Sequence, residues 1–265
     1  MLHITSSNKN SIKFHQKGAF DFTDFPELFF SYLQLHFRWR KVGDVTDLLC
    51  FPIKSCGDIR LDEFECEQIG LRKGHARDRT FMVVRTDGEF VTGRQHPKLV
   101  LVSPKIEGDI MTLSAPGMMD LTVDIARLYK VSPIKANVWG QTVNAVDVGE
   151  EAARWFSRYI FQEDFGLRFV FYPSSLPTRE VRGKNKSFST AIADDTGALH
   201  DATSFVLINE NSINELNSRT KNSVTPSQFR PNIVIKGPAA FDEDAWDWIK
   251  IGDETIFRNV KPCTR

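Results

Sequence analysis

The alternation of apolar and polar residues along this chain predicts mostly short strands. Leu121, Val123 and Ile125 alternate with polar residues, which is typical of a strand with one buried face. Val45–Phe51 is predicted to be the first strand, and Phe165–Tyr172 starts a further one after a helical segment. We therefore expect strands to dominate the fold.

Turn signals between these strands predict hairpins. Asp87-Gly88 lies between the β-rich runs Thr80–Arg85 and Glu89–Thr92, and an Asp-Gly pair in this setting is a strong hairpin signal. A second hairpin is predicted around Gly108, with Leu99–Val102 as its first arm. Such clustering of short antiparallel strands favours a barrel or a sandwich over β-α-β repeats.

Helical patterns are few. Gly149–Phe161 places apolar side chains on one face at spacings of three and four residues. Asn211–Arg219 is preceded by Asn209, a suitable N-cap, and Asp242–Trp248 begins with acidic residues that suit the positive end of a helix dipole. The long polar segment Thr178–Leu199 is predicted to be an exposed or mobile loop.

These patterns predict a mainly β protein with a few helices, of the α+β class. Its 265 residues, 41% of them hydrophobic, are enough for one large or two ordinary domains. We expect a leader of uncertain structure over residues 1–44, a β domain over residues 45–164 and a second β domain over residues 165–265.

Composition limits the partners. The 34 basic and 34 acidic residues cancel, so nucleic acid is not an expected partner and anion binding requires a local cluster of cations. The four cysteines are too few and too irregular for a disulfide framework, which favours a reduced intracellular protein. The apolar stretch 28–37 is about half the length that spans a bilayer. The first twenty residues faintly resemble a mitochondrial transit segment but lack arginine, so a leader without a targeting role is preferred.

Cations recur at the ends of the predicted strands. They occur in Lys54-Ser55, Arg77-Asp78-Arg79, Arg230-Pro231-Asn232 and Lys261–Arg265. Each group alone is more typical of a solvated turn or a surface ion pair. If the strand ends converge, the groups together predict a site for a phosphate-bearing ligand, because phosphate favours charge-assisted donors. No P-loop, dinucleotide fingerprint, nucleophile elbow or zincin motif is present.

In the same order along the chain, these segments resemble the motifs of the MOSC family. The matching segments are Phe51–Cys56, Arg77–Arg79, Thr92–Gln95, Phe229–Asn232 and Lys261–Arg265, with support from Val138–Gly140, Phe205–Glu210 and Ile249–Asp253. The resemblance runs from about Val45 to Arg265 and is greatest to the animal amidoxime-reducing components. It implies a MOSC N-terminal β-barrel domain followed by a MOSC β-barrel.

The resemblance also implies a bound molybdenum–molybdopterin cofactor. Lys54, Ser55 and Arg79 would line the N-terminal side of its pocket. The MOSC side would consist of Thr203, Ser204, Arg230 and Asn232, with Thr264 and Arg265 close to the metal. The family usually carries two consecutive hydroxyls where this chain has Ala202 first, so Thr203 is a stronger candidate than Ser204. No catalytic residue is assigned.

The metal ligand is not assigned within this chain. In the family, the Pro-Cys-Thr/Ser-Arg motif is followed by a second cysteine, whose thiolate binds molybdenum. This chain ends at Arg265, and Cys263 aligns with the first cysteine of the motif. Because the family continues with strands that complete the barrel, we expect an incomplete MOSC barrel and a fragment of a longer protein.

The activity implied by the resemblance is reduction of N-hydroxylated compounds such as amidoximes. Electrons would come from NADH through a flavin reductase and a b-type cytochrome. The implied location is the cytosolic face of the mitochondrial outer membrane, and a cytosolic location stays open because the sequence shows no anchor. Two alternatives remain. A carrier or sulfurase-type MOSC module would be revealed by a desulfurase domain upstream in the gene. The other is an inactive fragment without the metal-ligand cysteine.

Overall fold

The computed structural model describes residues 2–5, 11–15, 39–193 and 195–263, and strands dominate them. The strands are β1 Leu2–Thr5, β2 Ser11–His15, β3 Arg40–Cys50, β4 Ile59–Leu61, β5 Glu63–Glu67, β6 Gly70–Lys73, β7 Ala76–Arg77, β8 Phe81–Arg85, β9 Ser103–Glu107, β10 Ile110–Ser114, β11 Leu121–Asp124, β12 Ile134–Val138, β13 Gln141–Asp147, β14 Leu167–Phe171, β15 Leu207–Asn209, β16 Ile233–Lys236, β17 Trp248–Ile251 and β18 Thr255–Arg258. The helices are α1 Ile125–Leu128, α2 Glu150–Phe161 and α3 Glu210–Arg219, with 3-10 helices at Pro97–Leu101, Pro226–Phe229 and Asp242–Ala245. The predicted fold class, mainly β with a few helices, is confirmed.

The first core lies between helix α2 and two antiparallel sheets. Their strand orders are β12-β13-β14-β8 and β11-β10-β9. Phe81 of β8 packs on Phe169 and Phe171 of β14, with ring centroids 5.3 and 4.6 Å apart. Phe156 of α2 completes the group at 4.8 Å from Phe169. Burying each such ring stabilises the fold by about 1.5–3 kcal/mol, so this group anchors α2 to the sheet.

The second core lies against a larger sheet with the order β15-β16-β3-β2-β17-β18, in which β4 also pairs with β3. Strands β15 and β16 are parallel, and the other pairs are antiparallel. Three parts of the predicted leader are strands here, since β1 pairs with β5, β2 lies between β3 and β17, and β3 itself begins at Arg40. The remainder of the leader before residue 39 lies outside the described residues.

Each of the two predicted domains contributes strands to a sheet of the other. Strand β3, expected in the first domain, pairs with β16 and packs Leu48 and Cys50 into the second core. Strand β14, expected in the second domain, pairs with β8 and β13. Directly after β3, Ile53 and Cys56 enter the first core. The segment 51–56, with its cation, therefore lies at the junction of the two cores.

Local signals predicted several elements correctly. The hairpin turn at Asp87-Gly88 is confirmed, with the Gly88 amide donating to the Arg85 carbonyl at 2.9 Å. Helix α2 covers the predicted helical segment. Helix α3 is capped by Asn209, whose side chain accepts a hydrogen bond from the amide of Asn211 at 3.1 Å. These features depend on neighbouring residues, so the sequence alone specifies them.

Three local predictions were wrong. Leu99–Val102 is not a hairpin arm, because Pro97 starts the 3-10 helix there and β9 forms the arm. The helix predicted over Asp242–Trp248 is a single 3-10 turn, because Trp248 pairs as the first residue of β17. The described residues of the segment Thr178–Leu199 form no strand or helix, as predicted, but they are not simply an exposed loop. Its Arg179 is buried and donates to the carbonyls of Ala198 and His200 at 2.9 and 2.7 Å.

Strand β3 passes close to the end of β16 at Gly43, so a substitution of this glycine tests the architecture. A Cβ atom at Gly43 would lie 2.2 Å from the carbonyl oxygen of Lys236. We expect Gly43→Ala to lower the free energy of unfolding by about 2 kcal/mol, which corresponds to a melting temperature lower by roughly 4–8 °C. Gly183→Ala is the matched control, because a Cβ there meets no heavy atom within 4 Å. Equal melting temperatures for the two variants would contradict this packing.

Candidate functional site

Two cavities meet at the junction of the two cores. The first cavity has a volume of about 850 Å³, and its walls include Lys54, Ser55, Trp139 and Arg230. The second cavity has a volume of about 710 Å³ and is lined largely by residues 201–208 and by apolar side chains of the second core. Arg79, Arg94 and Asp201 line both cavities. Such volumes match sites for small molecules or cofactors.

Lys54 places a buried cation in the wall of the first cavity. Its Nζ donates to the Leu199 carbonyl at 2.9 Å and forms an ion pair with Asp201. The ammonium also lies 5.4 and 5.6 Å from the ring centroids of Phe90 and Trp139. Burial lowers the pKa of Lys54 to about 8, although the Asp201 carboxylate opposes this shift. The side chain is thus mostly protonated at neutral pH, and an additional anion would stabilise it.

Arg79 and Arg230 hold the segment that carries Lys54. Arg79 Nη2 donates to the Arg230 carbonyl at 2.7 Å. Arg230 Nη2 donates to the Ile53 carbonyl at 3.1 Å, and its Nη1 donates to the Cys56 carbonyl. The two guanidinium carbons lie 5.1 and 4.2 Å from the centroid of the Phe51 ring. These contacts hold the segments next to β3, β8 and β16 together around the Phe51 ring.

Asp78 is the buried carboxylate that joins these strand ends to the C-terminal part of the site. It is 1% exposed, and its Oδ1 accepts a hydrogen bond from the Phe51 amide at 2.7 Å. Its Oδ2 pairs with Arg79 and lies 3.0 Å from His200 Nε2. Burial alone would raise the pKa of Asp78, but the charge of Arg79 and the hydrogen bond from His200 lower it to about 2. Asp78 therefore stays ionised, and His200 acts as its donor.

Backbone strain concentrates around the first cavity. Six described residues other than glycine have positive φ, and four of them line it. They are Ser55, Arg79, Trp139 and Arg230, with φ of 71°, 48°, 55° and 56°. Such conformations are costly for side chains of this size, and they persist where the surrounding contacts enforce them, often at functional sites.

Comparisons with known proteins identify the family to which the chain is related. The sequence model of the MOSC N-terminal beta barrel domain matches residues 42–163, and that of the MOSC domain matches residues 194–265. The chain is 35% identical over 238 residues to mitochondrial amidoxime-reducing component 1 of Danio rerio, covering 90% of this chain and 71% of that protein. The chain belongs to the MOSC family.

Two mammalian members of the family give the same result. The chain is 37% identical over 228 residues to mitochondrial amidoxime reducing component 2 of Bos taurus, covering 86% of this chain and 66% of that protein. It is 38% identical over 228 residues to mitochondrial amidoxime-reducing component 1 of Mus musculus, covering 86% and 65%. The chain spans about two thirds of the length of these relatives.

Four of the residues suggested by the MOSC resemblance come together in the structure. Lys54, Ser55, Arg79 and Arg230 all line the first cavity. The spacing of the motifs along the chain could not establish this convergence, since Lys54 and Arg230 are far apart in sequence. They meet because β3, which ends shortly before Lys54, pairs with β16, which begins shortly after Arg230.

The other suggested residues are placed differently. Thr203 and Ser204 line the second cavity, where Ser204 Oγ donates to the Gln68 carbonyl at 2.9 Å. Asn232 is fully buried. Its side-chain oxygen accepts a hydrogen bond from the Val206 amide at 3.1 Å, and its side-chain nitrogen donates to the Leu49 carbonyl at 3.2 Å. The side-chain amide therefore supports the wall of the site. Thr264 and Arg265 lie outside the described residues.

Three residues of the site were missed by sequence reasoning. Trp139 was not assigned to the site, yet its Nε1 donates to the Asp201 carboxylate at 2.9 Å at the cavity wall. His200 was not assigned either, yet it is buried against Asp78. No sequence motif indicated Asp201 as part of the site. Only Asp78, placed between two arginines, had a local signal that could have revealed a buried network.

The described residues also bear on metal binding, membrane crossing and disulfide bonding. No group of three or more His, Cys, Asp or Glu side chains in the described ranges is placed to hold a metal ion. No helix in the same ranges is both long and apolar enough to cross a membrane. The cysteines are unpaired, with Cys50 and Cys56 buried and Cys263 exposed.

The burial of His200 makes stability depend on pH. Burial lowers its pKa to about 4, although Asp78 opposes this shift, whereas a histidine in an unfolded chain has a pKa of about 6.5. The unfolded chain therefore gains a proton first as the pH falls. The stabilisation is complete above about pH 6.5 and is lost towards pH 4, by about 3 kcal/mol in total.

We expect His200→Gln, which keeps a neutral donor near Asp78, to lose less stability than the wild type when both are unfolded in urea at pH 7, 5 and 4. Parallel pH profiles for the two proteins would contradict the buried, neutral state of His200.

Proposed function

We propose that this protein binds a molybdenum–molybdopterin cofactor and reduces N-hydroxylated substrates such as amidoximes. The observation that carries the proposal is the convergence of Lys54, Arg79 and Arg230 on one cavity of about 850 Å³. The names of the relatives, amidoxime-reducing components, support the reaction class. The cofactor, the substrates and the activity are our proposals for this chain.

The residues of the first cavity fit a pterin that carries a phosphate. A phosphate dianion favours charge-assisted donors, and Lys54 is a buried ammonium whose carboxylate partner, Asp201, is partly exposed. Phe90 and Trp139 add aromatic side chains to the same wall, and apolar walls with a few fixed polar groups are typical of cofactor sites. Lys54, Ser55 and Arg79 would hold the N-terminal side of the cofactor.

The MOSC side of the proposed site combines direct and supporting residues. Arg230 uses its guanidinium to hold the segment 53–56, so its contribution is to position Lys54 and Ser55. Thr203 and Ser204 would contact the cofactor from the second cavity, and Asn232 would support the wall between them. Thr264 and Arg265 enter the proposal through the family resemblance alone.

The chain's own residues would bind and orient the cofactor and exclude water from it. When bound, the cofactor supplies the two-electron chemistry that removes oxygen from nitrogen. We propose a b-type cytochrome and an NADH-dependent flavin reductase as the source of electrons, on the basis of the family resemblance. The relatives are named mitochondrial components, which supports a mitochondrial location.

Purification from a host that makes the cofactor tests the proposal. We expect the full-length wild-type protein to carry molybdenum and a pterin in about equal amounts and to reduce benzamidoxime with a chemical electron donor. Lys54→Met removes a charged hydrogen-bond donor, a loss of about 1.5–3 kcal/mol, so we expect cofactor affinity to fall by roughly 10- to 100-fold. Molybdenum content, pterin fluorescence after release and turnover measure these effects.

Lys135→Met is the matched control, since Lys135 is exposed on β12 and contacts Asn144. It should retain wild-type pterin content. A wild-type protein without pterin, or equal content in both variants, would contradict the cofactor site. Bound cofactor without reduction of benzamidoxime would favour a carrier module over an enzyme.

A further inference from the structure

Three cations surround the indole ring of Trp139. Arg182 Cζ lies 3.8 Å from the ring centroid, and the ammonium groups of Lys54 and Lys184 lie 5.6 and 5.9 Å from it. The carboxylate at this position is Asp201, which accepts from Trp139 Nε1 at 2.9 Å and pairs with Lys54. Among the described charges, three cations therefore share one carboxylate at this ring.

The pKa of Lys184 reflects this excess of positive charge. The pKa of this exposed lysine is lowered, first by the charge of Arg182 and then by desolvation. Arg94 and Lys261 lower it further, and Asp201 is the carboxylate that opposes them. Arg94 lines both cavities, whereas Lys184 and Lys261 line the second one. Several of the cations that act on Lys184 thus lie in the walls of the two cavities.

There is space for a ligand beside these groups. Gly183 separates Arg182 from Lys184, and Gly140 follows Trp139 in the turn between β12 and β13. A Cβ atom at either glycine would meet no heavy atom within 4 Å. Lys54 is only 6% exposed, whereas Lys184 is exposed. The two lysines therefore lie at different depths, Lys54 inside the first cavity and Lys184 at the exposed edge of the second.

We propose that Arg94, Arg182 and Lys184 form a second anion subsite at the mouth of the cavities, which binds the carboxylate or phosphate of an anionic substrate. The inference rests on the proposed function for the reaction itself. It identifies N-hydroxylated compounds that carry a negative charge as the preferred substrate class. Asp201 and the Trp139 indole would limit the subsite on its inner side.

A small anion fits these observations better than an acidic protein surface. Arg94, Lys184 and Lys261 line cavities, and a local excess of one sign of charge in a concave wall concentrates small ions. Arg182 is stacked on Trp139, which fixes its guanidinium for directed, bidentate contacts to a carboxylate or phosphate. Docking of an acidic protein surface is therefore the alternative outcome of the experiment.

The test compares 4-carboxybenzamidoxime with neutral benzamidoxime. We expect the wild type to bind the anionic compound at least tenfold more tightly in calorimetric titrations, and to lose this preference in high salt. Lys184→Glu should reduce the preference at least tenfold, both in Kd and in the ratio of kcat/KM values. Lys186→Glu is the matched control, because Lys186 lies two residues away, is exposed and pairs with Glu180.

The control makes the same change in total charge outside the subsite, so the wild-type preference should be kept within about twofold. Equal effects of the two variants would overturn the subsite in favour of a general electrostatic attraction. Absence of any preference in the wild type would also overturn it. If Lys184→Glu impaired only electron delivery from a protein donor, with unchanged binding of the anionic compound, the surface would be assigned to protein docking. Binding is measured without turnover, so a failure of the proposed reaction would be seen separately.

Discussion

The candidate site depends on the compensation of one buried carboxylate, that of Asp78. A buried charge without partners would cost several kcal/mol, so its surroundings must supply donors from fixed directions. The donors are the amide of Phe51, the guanidinium of Arg79 and the imidazole of His200. They belong to three stretches of chain that are distant in sequence. Compensating one charge therefore brings the N-terminal and C-terminal walls of the site together, and the contact from Arg79 to the Arg230 carbonyl extends the network to a fourth stretch.

The sheets place these stretches within reach of one another. Strand β3 pairs with β16 in the second sheet and then delivers the segment 51–56 to the first core. Strand β14 makes the opposite exchange by pairing with β8. Because each core contains a strand from the other half of the chain, the two halves cannot separate without breaking strand pairing. The cavities at their junction are consequently lined by side chains whose positions are set by backbone hydrogen bonds on both sides.

Features that depend on residues close together in the sequence could be predicted, whereas contacts between residues distant in the sequence could not. The turn at Asp87-Gly88 and the Asn209 cap rest on neighbouring residues, so local chemistry predicts them. The cations at strand ends were visible too, as was their suitability for phosphate. The pairing of Asp78 with His200 joins residues 122 positions apart, and no pattern in one sequence encodes it. The burial of Arg179 within segment 178–199 was missed for the same reason, because this side chain finds its acceptors only in the folded protein.

The balance of charge explains why an overall neutral chain can hold an anion site. The 34 basic and 34 acidic residues cancel over the whole protein, so long-range attraction is weak. The first cavity nevertheless has five cationic and three acidic side chains in its walls. Inside a partly desolvated cavity this local difference has a larger effect than the net charge, because screening by water and salt is reduced there. Binding specificity therefore arises from the convergence of Lys54, Arg79 and Arg230, and the Asp78 network provides the geometry for that convergence.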